Sequence, residues 1–217
     1  MSRALPIAVF LSGEGTTFDA LAEAIAGGHL PARIVLVLSD RPHAPGIERA
    51  RLHGLPTAVR PLHGVAPDRW THEVSALLNE VGATLVVLAG FLAILPPPFV
   101  QSWRGRIVNV HPSLLPEHGG RGMYGLRIHA AVLEAGDTET GATVHLVTDD
   151  VDGGPRLLQE RVPVRPGDTP EDLRERVRPV ERRLLAEAIR RFAEGEWALP
   201  HPLAEPSHPS RASKGGA

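Results

Sequence analysis

Five short apolar runs punctuate the first 110 residues, and segments of a different period separate most of them. Pro6–Leu11, Arg33–Ser39, Pro56–Arg60, Thr84–Ala89 and Ile107–Val110 have the length and β-branched content of buried strands. Between them, Phe18–Ala26, Ala44–His53 and Pro67–Val81 carry apolar side chains at helical spacing and stop at Gly27, Gly54 and Gly82. After the apolar loop Gly90–Leu95, Pro96-Pro97-Pro98 opens another short helix. A chain that alternates strand and helix in this way has few options, because each strand buries both faces only in a parallel sheet layered with helices. Beyond Pro116 the pattern changes. A Gly-rich loop (117–125) leads to a helix over Leu126–Ala135, then to two antiparallel strands, Thr143–Val147 and Arg156–Val164. Last comes a long helix over Pro170–Phe192, with Thr169 as its cap.

The bulk properties exclude more than they select. There are 217 residues, enough to bury roughly 70% of the unfolded surface without covalent staples. The absence of Cys removes disulfides, thiol nucleophiles and thiolate metal sites. A net charge of -2 offers no electrostatic case for nucleic acid or an anionic membrane. No apolar run approaches the ~20 residues of a membrane span, and Ile7–Leu11 is too short for a signal segment. The expectation is a cytoplasmic protein.

Chemistry concentrates where Ile107–Val110 ends. Ligands of open parallel sheets bind outside the carboxyl ends of strands. Asn109 and His111, two apart, share a face there. An amide N–H can stabilise an oxyanion, and an imidazole can move a proton near neutral pH. Near the N-terminus, strand, Gly-rich turn and helix surround Ser12-Gly13-Glu14-Gly15-Thr16-Thr17. This is neither a dinucleotide fingerprint nor a P-loop. Gly15, Thr16 and Thr17 suit a phosphate monoester at a helix N-terminus, or else form a tight turn with Thr as cap. Asp149, Asp150 and Asp152 share a turn before Gly153-Gly154. They serve as turn residues, or one of them faces His111, raises its pKa and orients it. His43, His53, His63 and His72 read as surface residues, and His72-Glu73 lacks the second His of a zinc helix.

These stretches resemble the folate-dependent formyltransferases, in the glycinamide ribonucleotide branch, from about Ile7 to Gly195. The carrying blocks are Ser12–Thr17, Val87–Leu92, Asn109-Val110-His111-Pro112-Ser113-Leu114-Leu115-Pro116, and Thr148–Pro155. The resemblance implies an α/β, Rossmann-like, mostly parallel twisted sheet with helices on both faces and antiparallel strands added in the C-terminal part. It implies one domain over residues 1–195, with a nucleotide-binding half to about 105 and a folate and catalytic half from 106. A tail over 196–217 follows, its end expected to be disordered. The implied reaction passes the formyl group of 10-formyltetrahydrofolate directly to the amine of glycinamide ribonucleotide through a tetrahedral intermediate.

In that reading Asn109, His111 and Asp152 are catalytic. Gly13, Gly15, Thr16, Thr17, Arg178 and Glu181 hold the ribonucleotide, with Glu181 on the ribose hydroxyls. Arg69, Leu92, Ala93, Ile94 and Leu95 contact the folate together with Asn109, Val147, Thr148, Asp149, Asp150, Val151 and Asp152. The folate is a cosubstrate. No permanently bound cofactor, metal, nucleic acid or membrane is implied, and the chain is a monomer or homodimer.

Three departures stand out. Thr16-Thr17 replaces a common Ser-Asn, and Ala93 replaces an Arg that helps hold the folate glutamate, a charge Arg69 could supply. Glu117–Gly125 is longer than in many relatives and can cover the cleft through Arg121 or form a surface loop. Other formyl-transfer relatives remain open: a tRNA enzyme, which normally adds a basic C-terminal domain; a nucleotide-sugar enzyme; and a hydrolase, which normally adds an N-terminal domain. A binding module without catalysis would not keep Asn109, His111 and Asp152 together.

Overall fold

A computed structural model describes residues 4–200. In chain order the elements are β1 (Leu5–Leu11), α1 (Thr16–Ala26), β2 (Ala32–Ser39), α2 (Pro45–Leu52), β3 (Thr57–Val59), α3 (Pro67–Glu80) and β4 (Leu85–Leu88). They continue with α4 (Pro97–Ser102), β5 (Ile107–His111), α5 (Leu126–Glu134), β6 (Glu139–Leu146), β7 (Arg156–Pro163) and α6 (Pro170–Ala193). One sheet runs β3-β2-β1-β4-β5-β6-β7. Its first five strands pair in parallel, and β6 lies antiparallel to both β5 and β7. The order reverses at β1, which has β2 on one side and β4 on the other. Connections leave the two sides toward opposite faces there, and a crevice opens at the carboxyl ends.

Successive residues of β1 feed two different cores, as the two-residue period of a strand requires. Ile7, Val9 and Leu11 join the core under α1, α2, α5 and α6. Ala8 and Phe10 join the other, against Trp70, Val74 and Leu78 of α3 and Phe99 of α4. Of the apolar stripe that helical spacing predicts for α3, Trp70, Val74 and Leu78 are buried, and Leu77 and Val81 are partly buried. α6 begins as expected at Thr169. The Thr169 hydroxyl accepts the Asp172 N–H (3.2 Å), and the Asp172 carboxylate accepts the Thr169 N–H (3.0 Å), a reciprocal capping box. Beyond α6, Trp197 and Leu199 still pack on the core, and Trp197 meets Phe192 edge to face at 5.2 Å. Most of the expected tail, residues 201–217, lies outside the described residues.

The turn before α1 differs from expectation. Its N-cap is Gly15, in the left-handed region at φ 76°, and no Thr side chain caps the helix. A Cβ on Gly15 would lie 2.7 Å from Gly46 Cα, so the glycine there lets α2 approach the loop. His43, His53, His63 and His72 are exposed, as expected.

The paired glycines after Asp152 have unequal duties. A Cβ on Gly154 would overlap the Leu146 carbonyl oxygen, a fixed backbone atom, whereas the nearest atoms to one on Gly153 belong to the exposed Asp150 side chain. Gly154→Ala is expected to destabilise the protein by about 2–3 kcal/mol and Gly153→Ala by less than about 1 kcal/mol. Denaturant melts of the two variants check the difference.

Candidate active site

The antiparallel register of β5 and β6 sets the site. Asn109 stands directly opposite His145, and His111 opposite Thr143. Opposed side chains share a face and lie within contact reach. Asn109 Nδ2 donates to His145 Nε2 at 3.1 Å. Asp152, on the loop after β6, brings Oδ2 to 3.5 Å from His111 Nδ1 and Oδ1 to 3.5 Å from His145 Nε2. Its carboxylate also accepts the Gly120 N–H at 2.9 Å. The other ring nitrogen of His111, Nε2, donates to the His118 carbonyl at 2.9 Å. That bond leaves Nδ1, facing Asp152, as the nitrogen free to take or give a proton. Asp152 and His118 are the only non-glycine residues with positive φ among the described residues, at 58° and 53°. One sits on each nitrogen of the His111 ring, so the backbone departs from its preferred regions where it grips the imidazole.

Side chains from β6 and β7 hold the segment after His111. The Thr143 hydroxyl donates to the Ser113 carbonyl (2.7 Å) and accepts the Leu115 N–H (3.1 Å). Arg156 and Gln159 both donate to the Leu115 carbonyl, at 2.7 and 3.0 Å. Ser113 donates to the Glu117 carbonyl at 2.7 Å. The Ser-Leu-Leu-Pro run thus leaves β5 on a fixed path. On the other side of the crevice Ser12 is a hub. Its hydroxyl donates to Asp40 at 2.5 Å and accepts the Leu92 N–H at 2.8 Å, and its own N–H donates to the Gly90 carbonyl at 3.0 Å.

The His111 pKa moves opposite to the expectation. Burial lowers it, and this outweighs the upward pulls of the Asp152 charge and of the His118 carbonyl. The ring is 4% exposed, and 3.5 Å is long for a hydrogen bond to the carboxylate. For Asp152 burial pushes upward, but the neighbouring His145 and His111 imidazoles and the Gly120 N–H together hold it below its ordinary value.

Asn109, His111 and Asp152 line a cleft of about 410 Å³. One end is apolar, formed by Leu88, Leu92, Ile94, Leu95, Val100 and Val147, with Ala93, Thr148, Asp149 and Val151 beside them. The other end is polar, with Thr17, His129, Arg174, Arg178 and Glu181. Gly120–Gly125, including Arg121, also line the cleft, so the long loop does lie over it.

Several expected positions are not brought there. Arg69 sits on the solvent face of α3 in an ion pair with Glu73 (2.8 Å), because its turn of the helix points away from the buried Trp70 stripe. Asp150 is exposed and turned out of the cleft. Gly13, Gly15 and Thr16 stand behind Thr17, outside the lining. His145 and His129 were not singled out from the sequence. The alternation Thr143-Val144-His145 on a strand antiparallel to β5 was the available signal for the first. For His129 it was the helical stripe with Ile128 and Val132. Among the described residues no cluster of three or more His, Asp or Glu side chains is placed to hold a metal ion.

Two polar-end groups are shifted by burial. His129, with Arg174 and His111 adding to the effect, falls to about 4. Glu181 rises to about 7 from 4.5 against the opposing pull of Arg178 and Arg182. A carboxyl with a raised folded-state pKa binds more protons in the folded than in the unfolded state between those two values. This group's contribution to stability therefore falls as pH rises from 4.5 to about 7 and is level above that. Glu181→Gln is expected to remove this slope, worth at most roughly 3 kcal/mol. Denaturation midpoints of both proteins at about pH 5 and about pH 8 check it.

A sequence pattern for the formyl transferase family matches residues 5–189. The chain is 37% identical over 193 residues to the chloroplastic phosphoribosylglycinamide formyltransferase of Arabidopsis thaliana, covering 86% of this chain and 65% of the plant protein, just under two thirds of its length. It is 37% identical over 199 residues to the phosphoribosylglycinamide formyltransferase of Haemophilus influenzae, covering 91% of this chain and 92% of that one. The crystal structure of glycinamide ribonucleotide transformylase 1 from Symbiobacterium toebii superposes with a TM-score of 0.84 at 37% identity over 93% of each chain. With the fold, the strand-end pair and these relatives in agreement, the chain belongs to the formyl transferase family.

Proposed function

We propose that this protein transfers the formyl group of 10-formyltetrahydrofolate to the amine of N1-(5-phospho-D-ribosyl)glycinamide, a step of de novo purine synthesis, in the cytosol. One observation carries the reading: Asn109, His111 and Asp152 converge between an apolar and a polar end of a single cleft, in a member of the formyl transferase family. The folate supplies a formyl group on nitrogen. The apolar end suits its flat ring, and backbone groups of residues 147–152 are available to read the ring edge. The polar end suits the phosphoribosyl group. Thr17, at the start of α1, offers a hydroxyl and the positive end of the helix to a phosphate. Glu181, raised to about 7 and so only partly ionised near neutral pH, can accept from ribose hydroxyls in either form and donate to them when protonated.

The residues divide the chemistry. As the amine nitrogen adds to the formyl carbon, negative charge develops on the formyl oxygen. The Asn109 carboxamide then donates an N–H to that charge from a strand, a rigid support. His111 exchanges a proton at Nδ1, because Nε2 is committed to the His118 carbonyl. Burial keeps the ring neutral in the free protein, and Asp152 is placed to stabilise it once charged. When the bond from carbon to the folate nitrogen breaks, that nitrogen gains a proton and the new amide loses one, so the proton count balances. The Ala93 side chain brings no charge to the folate end. Arg121, in the loop over the cleft, is the cation best placed for an anionic substrate group, since Arg174 and Arg178 are both already paired with Glu175.

Formyl transfer followed optically as the folate product forms tests the reading. Wild type should turn over, Asn109→Ala should lose about 10²–10³ in kcat, and His111→Ala about 10²–10⁴. Asp152→Asn should lose about 10–10³, with folding intact in all three. Folate binding without transfer to this acceptor would sink the assignment. Water and a nucleotide-linked amino sugar are then the acceptors to try.

A further inference from the structure

We propose that His145 is a positioning residue: it accepts one N–H of the Asn109 carboxamide and thereby turns the second N–H into the cleft. Its kinetic consequence rests on the formyl-transfer reading above; its geometry does not.

His145 is 2% exposed and directly opposite Asn109 in the β5–β6 ladder. Its Nδ1 lies 3.0 Å from the Leu146 carbonyl oxygen. A carbonyl can only accept, so the proton is on Nδ1, and Nε2 of the neutral ring presents a lone pair. The atom that meets this lone pair is Asn109 Nδ2, at 3.1 Å. Among the described residues this is the one hydrogen bond that the Asn109 side chain makes. A terminal amide torsion is broad and roughly two-fold, so an untethered Asn109 presents either its N–H or its C=O to the cleft. The oxygen there would repel a developing oxyanion. Because the amide is planar, fixing one N–H on Nε2 fixes the direction of the other.

The Asp152 carboxylate is the other group facing Nε2, at the longer distance of 3.5 Å, and it has the Gly120 N–H at 2.9 Å as its own donor. If His145 instead carried a proton on Nε2 for Asp152, the amide would have to present its oxygen to the ring. Gln keeps an acceptor oxygen for the Asn109 N–H but does not titrate as an imidazole does, so it separates a hydrogen-bonding role from a proton-carrying one, and the protonation of Nε2 decides which group that bond serves.

The full chain would be assayed as wild type, His145→Ala, His145→Gln, Asn109→Ala and the Asn109→Ala/His145→Ala double variant. His145→Ala should lower kcat about 10- to 100-fold with the folate KM within about twofold, and Gln should recover most of the loss. In the Asn109→Ala background, removing His145 should cost less than about twofold. A Gln variant as slow as Ala, or losses that multiply in the double variant, would overturn the proposal.

Nitrogen-15 spectra of the free protein read the geometry without turnover, with His145→Gln supplying the assignment. The expected pattern is a protonated Nδ1 and a bare, hydrogen-bonded Nε2; a protonated Nε2 overturns the proposal. A wild-type chain with the expected pattern that formylates no glycinamide ribonucleotide keeps the positioning role and sinks the reaction instead.

Discussion

A single partly buried carboxylate holds the centre of this molecule together. Asp152 reaches two imidazoles at once, and it does so from a backbone conformation that a residue with a side chain rarely adopts. The surrounding structure enforces that conformation. Gly154 lets the loop press against the Leu146 carbonyl, Gly120 donates to the carboxylate, and Gln101 of α4 reaches Asp149 at 3.3 Å. His111 is gripped from the far side by the His118 carbonyl, and His118 is itself tied to Asp137 at 2.6 Å. The imidazole has little freedom left, so its proton chemistry is confined to one nitrogen.

The sheet explains why the parts meet. Parallel strands deliver Asn109 and His111 to the crevice, and the reversal into β6 brings a second strand back alongside with His145 already in register. Reactive groups on strands keep their spacing through the hydrogen-bonded ladder, whereas Asp152, on a loop, depends on specific contacts to stay in place. Ser12 plays a comparable part across the crevice, linking the turn before α1, the end of β2 through Asp40 and the apolar loop at Leu92.

Much of this was legible in the residues themselves. Strand–helix alternation yields the parallel sheet, Thr169 as a cap marks the start of α6, and Asn109-x-His111 at a strand end marks the site. What could not be read were long-range facts. The register of β6 against β5, which makes His145 a partner of Asn109, is a property of pairing and not of local pattern. The direction of the His111 shift depends on how deeply the ring is buried, and the charge of a neighbour was visible where its distance was not. Arg69 was assigned by the need for a cation; helical phase, set by Trp70, points it to solvent. The two glycines after Asp152 look equivalent as letters and differ only through what lies opposite each.

The cleft has one end on each face of the sheet. The polar end is built from α1, α5 and α6, which pack in one core, and the apolar end from α4 and the loops that border the other core. The strand-end pair sits on the seam. The two ends are therefore built from separate parts of the fold. Under the proposed reaction, substitutions on α1, α5 and α6 would change which molecule receives the one-carbon unit while the compartment for its donor, and the reactive groups between them, stay as they are.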